Sequence, residues 1–491
     1  MTDWKNAIPP HLFDSFYIDG SWIHAPSNPR KEIKSPSSEI TVFSVPFATE
    51  ADVDTAIVAA KRAFQSGPWP RLTPTQRAAM MHRLADILAL RLPLLAELWT
   101  AQVGAPISLA NRLAPLATAR LRYFADLAAS FEFETERPNQ RGYARIISEP
   151  VGVSALIIPW NAALPILMNK LGAALAAGCT CIIKSSPESP MDAMIVAQCV
   201  DEAGFPRGVV NVVLANSEAS SHLVASRDID KVSFTGSVST GSAIASTVAA
   251  RMGRMTLELG GKSAAILLDD VDIETAMPTL EQFTMPFSGQ FCFSQSRLLV
   301  PKARESELID LFSARVRAFR VGDPWEGNTQ IGPVLNRCQF DKIMSYIEHG
   351  VEEGANLVTG GRARDISNTG HYIEPTVFSN VGREMSIARD EIFGPVVTIQ
   401  TYDSIDEAIA IANDTDFGLS GSVFGDPEKA YAIAKCIRTG QVGINSMELA
   451  PSVPFGGYKM SGIGREGGIE GLSAFLETKA ILYSGQKAAV I

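Results

Sequence analysis

A cysteine that acts as a nucleophile needs backbone room, an apolar pocket for its substrate and a nearby base. Of the six cysteines, Cys179, Cys181, Cys199, Cys292, Cys338 and Cys436, only Cys292 lies in a segment of that kind. SGQFCFSQSR is loop-like, with Gly289 ahead of it and Phe291 and Phe293 on either side. A core cysteine is the alternative. Cys179 and Cys181 stand one residue apart at the start of an apolar run, on one face of a strand, which is not the CxxC of zinc or redox sites. Cys199 and Cys436 fall inside helical patterns and Cys338 near a helix start, where small buried hydrophobes are expected.

The six histidines, at 11, 24, 82, 222, 349 and 371, offer no Cys-His pairing and no metal cluster, so the base should be a carboxylate. Glu258 in RMTLELGGKSAAI is a single acid inside an apolar strand that runs into Gly260-Gly261. Burial raises the pKa of a lone carboxylate and makes it a better base near neutrality; the alternative is a structural acid paired with Lys262. A third signal is KVSFTGSVSTGSAIA, a strand followed by Gly236-Ser237 and then Gly241 at the opening of a helix. Small residues there let a phosphate approach backbone N–H groups and the positive end of the helix, although the spacing is not GxGxxG and also suits close helix–sheet packing.

The elements that must hold these residues are legible. VGVSALIIPW, TCIIKS, VVNVVLA, KVSFTG and AAILL, between 151 and 268, are β-branched runs without polar alternation, as in strands buried on both faces. Helical patterns at 164–178, 189–204, 217–226 and 238–250 separate them, which predicts a parallel, doubly wound sheet. SRLLV, TVFSN, VVTIQTYD and SVFG, with helices at 304–320, 338–353, 404–413 and 427–439, predict a second α/β domain. Residues 73–104 read as an amphipathic helical pair broken near Pro93. RGYARIISEP (141–150) and the tail 472–491 are strand-like pieces that could pair into a protruding flap, whose edge invites a neighbouring subunit.

The length of 491 residues allows two or three domains, and 43 basic against 53 acidic side chains, a net charge of −10, repel nucleic acid and anionic membranes. There is no signal-like start and no run of ~18 apolar residues. Sparse cysteines indicate reduced thiols and a cytoplasmic setting.

IIPWN (157–161), FTGS (234–237), ELGGK (258–262) and EIFGPV (391–396), with the Cys292 segment, QIGPV (330–334) and PFGGYKMSGIGRE (454–466), resemble the aldehyde dehydrogenase superfamily in order and spacing over nearly the whole chain. The resemblance implies a Rossmann-like parallel-sheet coenzyme domain (1–125 and 149–258), a second α/β catalytic domain (259–465) and a small β oligomerisation flap with its tail (126–148 and 466–491). It implies a homo-oligomer, either a dimer or a dimer of dimers, and no metal.

Carried over by motif, Cys292 adds to the aldehyde carbonyl, Asn161 and the Cys292 N–H hold the oxyanion, and Glu258 activates the water that hydrolyses a thioester. Lys170 and Glu466 match positions that pass protons onward. For the coenzyme, Gly236 and Ser237 meet the pyrophosphate, Ile157, Pro159, Trp160, Leu259 and Gly260 border it, Lys184 reaches the adenosine ribose, Glu391 holds the nicotinamide ribose and Phe393 packs beside the nicotinamide. The product is a free acid. In KSSPESP, Pro187 stands where many NAD-preferring relatives carry a glutamate and Glu188 follows it, so the coenzyme is NAD with NADP possible.

The family's tunnel maps onto Leu164, Phe291, Phe293, Met447, Leu449 and Phe455. These positions hold no arginine for a carboxylate-bearing semialdehyde and no cage for a quaternary ammonium. The expected substrate is an apolar aldehyde, whether aromatic, terpenoid or medium-chain; the alternatives are a generic narrowed tunnel, a semialdehyde dehydrogenase, or a catalytically idle structural member of the same fold.

Overall fold

The computed structural model describes residues 4–366 and 369–484; the end of the expected tail, 485–491, lies outside the described residues. The β-branched runs form strands Val153–Ile157, Thr180–Ser185, Val210–Leu214 and Lys231–Thr235, in which only Lys184 is not fully buried. Arg254–Glu258 joins them in one parallel set, with Lys231–Thr235 between it and Val153–Ile157, and Thr180–Ser185 then Val210–Leu214 beyond. Burial on both faces is the reason VSALI, TCIIKS and VNVVL lack polar alternation; KVSFT alternates and is buried nonetheless, with Lys231 Nζ donating to Thr256 Oγ1 at 2.7 Å. Antiparallel strands Ser15–Ile18, Ser21–His24 and Gly462–Ile463 complete an eight-stranded sheet.

The chain adds strands outward from Val153–Ile157 and then crosses back to lay Lys231–Thr235 on its other side. At that reversal, consecutive connections leave on opposite faces of the sheet, and a crevice opens beyond the strands' carboxyl ends. The helix Ala163–Ala177, ALPILMNKLGAALAA, is buried on nearly every side and ends at Gly178 in the left-handed region, φ 97°.

Six residues after Glu258 the chain enters a second, seven-stranded sheet through Ala264–Leu267. That strand lies between Arg297–Pro301 and Ser420–Phe424, all parallel. The third sheet pairs Gly142–Pro150 with Leu476–Ser484 over nine residue pairs and with Glu134–Asn139 on its other edge. The segments at 141–150 and 472–484 therefore meet across more than 300 residues of chain.

The helical pair resolves into Pro74–Ala89 and Leu92–Val103, and Pro93 sits in the first turn of the second, where a missing N–H costs nothing. Two cysteines depart from expectation: Cys338 and Cys436 are exposed, whereas Cys179, Cys181 and Cys199 are buried. Cys338 is in the first turn of Arg337–Glu352, off the face formed by Ile343, Ile347 and Gly350. The helix expected over 427–439 stops at Ala434, so Cys436 lies beyond its packed face. Among the described residues no helix is long and apolar enough to cross a membrane.

Candidate active site

The crevice receives both motifs that follow the strands at the reversal. Ile157, Pro159, Trp160 and Asn161 leave one strand; Gly236 and Ser237 leave the other. Ser237 caps the helix Val238–Ala249, its Oγ accepting the Thr240 N–H at 3.3 Å, and the Gly236 N–H donates to the Glu258 carbonyl at 3.0 Å. Gly241 serves packing: a Cβ there would lie 2.5 Å from Leu259. An open groove of about 640 Å³ runs past Ile157, Lys184, Pro187, Glu188 and Thr240. Burial pushes Lys184 down to about 8, with Glu188 opposing, and Glu188 accepts the Ser186 hydroxyl at 2.5 Å. A capped helix N-terminus, hydroxyl groups and one lysine around this space fit a phosphate-bearing nucleotide.

Glu391 and Phe393 stand on the other side of the same turn. The Glu391 carboxylate accepts the Gly261 N–H at 3.0 Å, and a Cβ on Gly260 would lie 2.2 Å from it. Burial pushes this carboxyl up, while the Gly261 N–H, Lys342 and Lys262 pull it down. Phe393 is left-handed, φ 59°, and its ring meets Trp160 edge-on at 5.7 Å.

A second, narrow cavity is lined by Cys292, Asn161 and Glu258 together. Its apolar walls include Trp99, Leu116, Ile166, Phe291, Phe293 and Phe455. Three consecutive left-handed residues, Phe287, Ser288 and Gly289, lead into Cys292. Such backbone costs of order 1–3 kcal/mol for each non-glycine residue and persists only where the surroundings hold it. Here Ser288 Oγ donates to the Gly332 carbonyl at 2.8 Å, Gln290 Oε1 accepts the Leu335 N–H at 2.9 Å, and Gly289 approaches Gly394 so closely that a Cβ would stand 1.9 Å from its carbonyl oxygen.

Burial, then Glu391 and Glu258, push the Cys292 thiol up, against hydrogen bonds from the Phe293 and Cys292 N–H groups. The resting group is a thiol and needs a base. Both Glu258 carboxylate oxygens are buried without a hydrogen-bond partner among the described residues. Burial and Glu466 raise this carboxyl well above its usual range, with Lys170 and Arg465 opposing. Lys262 is not its partner: the Lys262 ammonium is itself buried and unpaired, pushed down to about 7 by burial, and the carboxylates acting on it are Asp390 and Glu391.

The Asn161 amide donates to the Gln290 carbonyl at 2.8 Å, which ties it to the Cys292 loop and leaves its second N–H free to face the cavity. Behind Glu258, Lys170 is hydrogen-bonded to Glu466, and Ser233 Oγ bridges them, 3.0 Å from Lys170 Nζ and 3.3 Å from Glu466 Oε1.

The tunnel expected from sequence needs three corrections. Leu164 is buried in the core of the first sheet; on its helix Ala162, Pro165, Ile166 and Asn169, one face at helical spacing, reach the cavity instead. Met447 packs within the aromatic cluster of Phe287, Phe291 and Phe293 and does not line the space. An arginine does reach it: Arg120, on the helix Pro115–Ser130 one turn after Leu116. The i, i+4 spacing of Leu116 and Arg120 is visible in sequence, but nothing local says that this face meets Cys292.

The aldehyde dehydrogenase family model matches residues 22–481. A geranial dehydrogenase of Castellaniella defragrans is 39% identical over 472 residues, 96% of this chain and 98% of the relative. A 3-succinoylsemialdehyde-pyridine dehydrogenase of a Pseudomonas species is 40% identical, covering 96% and 99%. Among solved structures, aldehyde dehydrogenase C of Pseudomonas syringae, in a cysteine-to-alanine variant with NAD+ and octanal, superposes with a TM-score of 0.93 at 41% identity, covering 96% and 97%. A Mycobacterium tuberculosis aldehyde dehydrogenase with NAD+ gives 0.95 at 39%, covering 97% and 99%. The chain belongs to the aldehyde dehydrogenase family.

Proposed function

We propose that the protein oxidises an aldehyde to a carboxylic acid with Cys292 as nucleophile and NAD as coenzyme. The observation that carries this reading is the convergence of Cys292, Asn161 and Glu258 on one cavity beside the nucleotide crevice. The Cys292 sulfur bonds to the carbonyl carbon and gives its proton to Glu258, directly or through water. The oxyanion so formed accepts hydrogen bonds from the free Asn161 N–H and the Cys292 N–H, donors that typically contribute about 2.7–4 kcal/mol each. Bound NAD supplies the hydride acceptor that turns the tetrahedral adduct into a thioester. Once Glu258 has passed that first proton on, it takes a proton from the attacking water, the carbon–sulfur bond breaks, the leaving thiolate takes the proton back from Glu258, and the acid leaves. Lys170 and Glu466 carry the proton onward through their hydrogen bond.

For the coenzyme, Ser237 and Gly236 take the pyrophosphate, Ile157, Pro159, Trp160, Leu259 and Gly260 flank it, Lys184 and Glu391 take the two riboses, and Phe393 packs on the nicotinamide. Solved relatives that carry NAD+ support the coenzyme. Pro187 leaves room beside Glu188, so NADP is tolerated. The phenylalanines around Cys292 favour an apolar chain next to the carbonyl carbon, aromatic, terpenoid or medium-length, in line with relatives named for geranial and solved with octanal.

In this reading residues 1–125 with 149–258 hold the coenzyme, 259–465 carry the thiol, and 126–148 with 466–491 form the contact of a cytoplasmic homo-oligomer. The exposed edge strand Leu476–Ser484 supports that contact. The test is Cys292→Ala, which should bind NAD and give no rise in reduced-nicotinamide absorbance with any aldehyde. A wild-type protein that binds NAD and oxidises no member of a broad aldehyde panel would make it an idle member of the fold.

A further inference from the structure

The cavity at Cys292 is apolar over most of its wall, yet it contains one guanidinium. Arg120 is half-buried, and the space it still touches is this cavity. Among the described residues it has no hydrogen bond and no ion pair, and the charge that acts on it is that of Glu466, a carboxylate already engaged by Lys170 and Ser233. Burial pushes the guanidinium down only to about 10, so it is charged at neutral pH. Arg120 lines the same cavity as Cys292, from the helix Pro115–Ser130 and one turn after Leu116, which lines it too.

An unpaired charge against apolar walls is a cost to the fold that a ligand would offset. A planar fork of N–H donors matches a carboxylate best and a ketone oxygen less well. We infer that Arg120 is a specificity residue: it takes an anionic or hydrogen-bond-accepting group, a carboxylate above all, at the end of the substrate remote from the aldehyde carbon. The substrate is then an aldehyde with an apolar middle and an acidic far end. This rests on the reading of Cys292 as nucleophile, and it refines the apolar assignment, since the phenylalanines contact the chain between the two ends.

The experiment compares linear aldehydes of four to eight carbons with the ω-carboxylated aldehydes of the same lengths, in wild type, Arg120→Met and Arg120→Lys. At the best-fitting length the wild type should favour the carboxylated aldehyde in kcat/KM by about 10–100-fold, the range of a hydrogen-bonded charge. Arg120→Met should lose that preference through KM, falling further on the carboxylated series than on the linear one, and Arg120→Lys should recover part of it. A wild type that prefers linear aldehydes at every length overturns the inference. So does an Arg120→Met variant slowed equally on both series, which would make Arg120 a support for Glu466. Loss of all aldehyde oxidation in wild type would instead remove the proposed function itself.

Discussion

Gly261 gives a direct measure of how tightly Cys292 is positioned. Its missing side chain faces the Cys292 carbonyl oxygen, and a Cβ built there would lie 2.4 Å from that oxygen and 3.2 Å from the Leu419 Cβ. Real contacts of this kind stay beyond 3.0 Å, so Gly261→Ala must open the gap by about 0.6 Å. The neighbour is backbone and cannot rotate away. Gly261 in turn is tied through its N–H to Glu391, so recoil in the other direction moves the carboxylate assigned to the nicotinamide ribose. A misplacement of ~1 Å at a reacting group costs about 10²-fold, and the smaller shift here should lower kcat/KM by about 10–50-fold. Stopped-flow absorbance of reduced nicotinamide gives the burst rate, and a fluorescence titration gives NAD affinity. Movement of the thiol slows the burst at unchanged affinity; movement of Glu391 weakens NAD. If both stay within about twofold of wild type, the close approach does not position the nucleophile.

Two further outcomes follow from the buried groups. Because burial and Glu466 raise the Glu258 carboxyl, its basic form fills only as pH rises, so steady-state turnover should climb with pH, and Glu258→Gln should show one burst of product without that limb. The same raised value means that the carboxyl's contribution to stability is complete below its unfolded pKa of about 4.3 and is lost as pH rises through the folded value. Glu258→Gln should therefore melt higher than wild type at pH 8 and no higher at pH 4; equal shifts at both would rule out ionisation as the cause. Thiol labelling of the native protein should modify Cys338 and Cys436 fast without loss of activity and Cys292 with complete loss. Cys179, Cys181 and Cys199 should react only after unfolding, and fast reaction of Cys181 would contradict its burial.

Local text carried much of the architecture. Runs such as VSALI and TCIIKS read as strands covered on both faces, and the strand–helix pitch predicted a parallel, doubly wound sheet, as observed. Glu258 stood out because an acid inside an apolar strand is costly without a partner, and Cys292 because its loop, unlike the segments of the other cysteines, gives a thiol backbone room and apolar neighbours. The cavity list was less legible. Leu164 and Met447 have the right chemistry but point into packed clusters, since which face of a helix meets a cavity depends on what docks against it.

By itself, then, the sequence marked out most strands and helices and singled out Glu258 and Cys292 as candidates, because these depend on short-range periodicity or on a lone polar group among apolar ones. Only the tertiary structure decided that Lys262 does not neutralise Glu258, that Lys170, Ser233 and Glu466 form one buried chain, that Gly261 lies against the Cys292 carbonyl, that 141–150 pairs with the tail, and that Arg120 reaches the same cavity as Cys292 from another helix. These are distances between residues dozens to hundreds of positions apart, and they are set by how the two sheets and their helices pack.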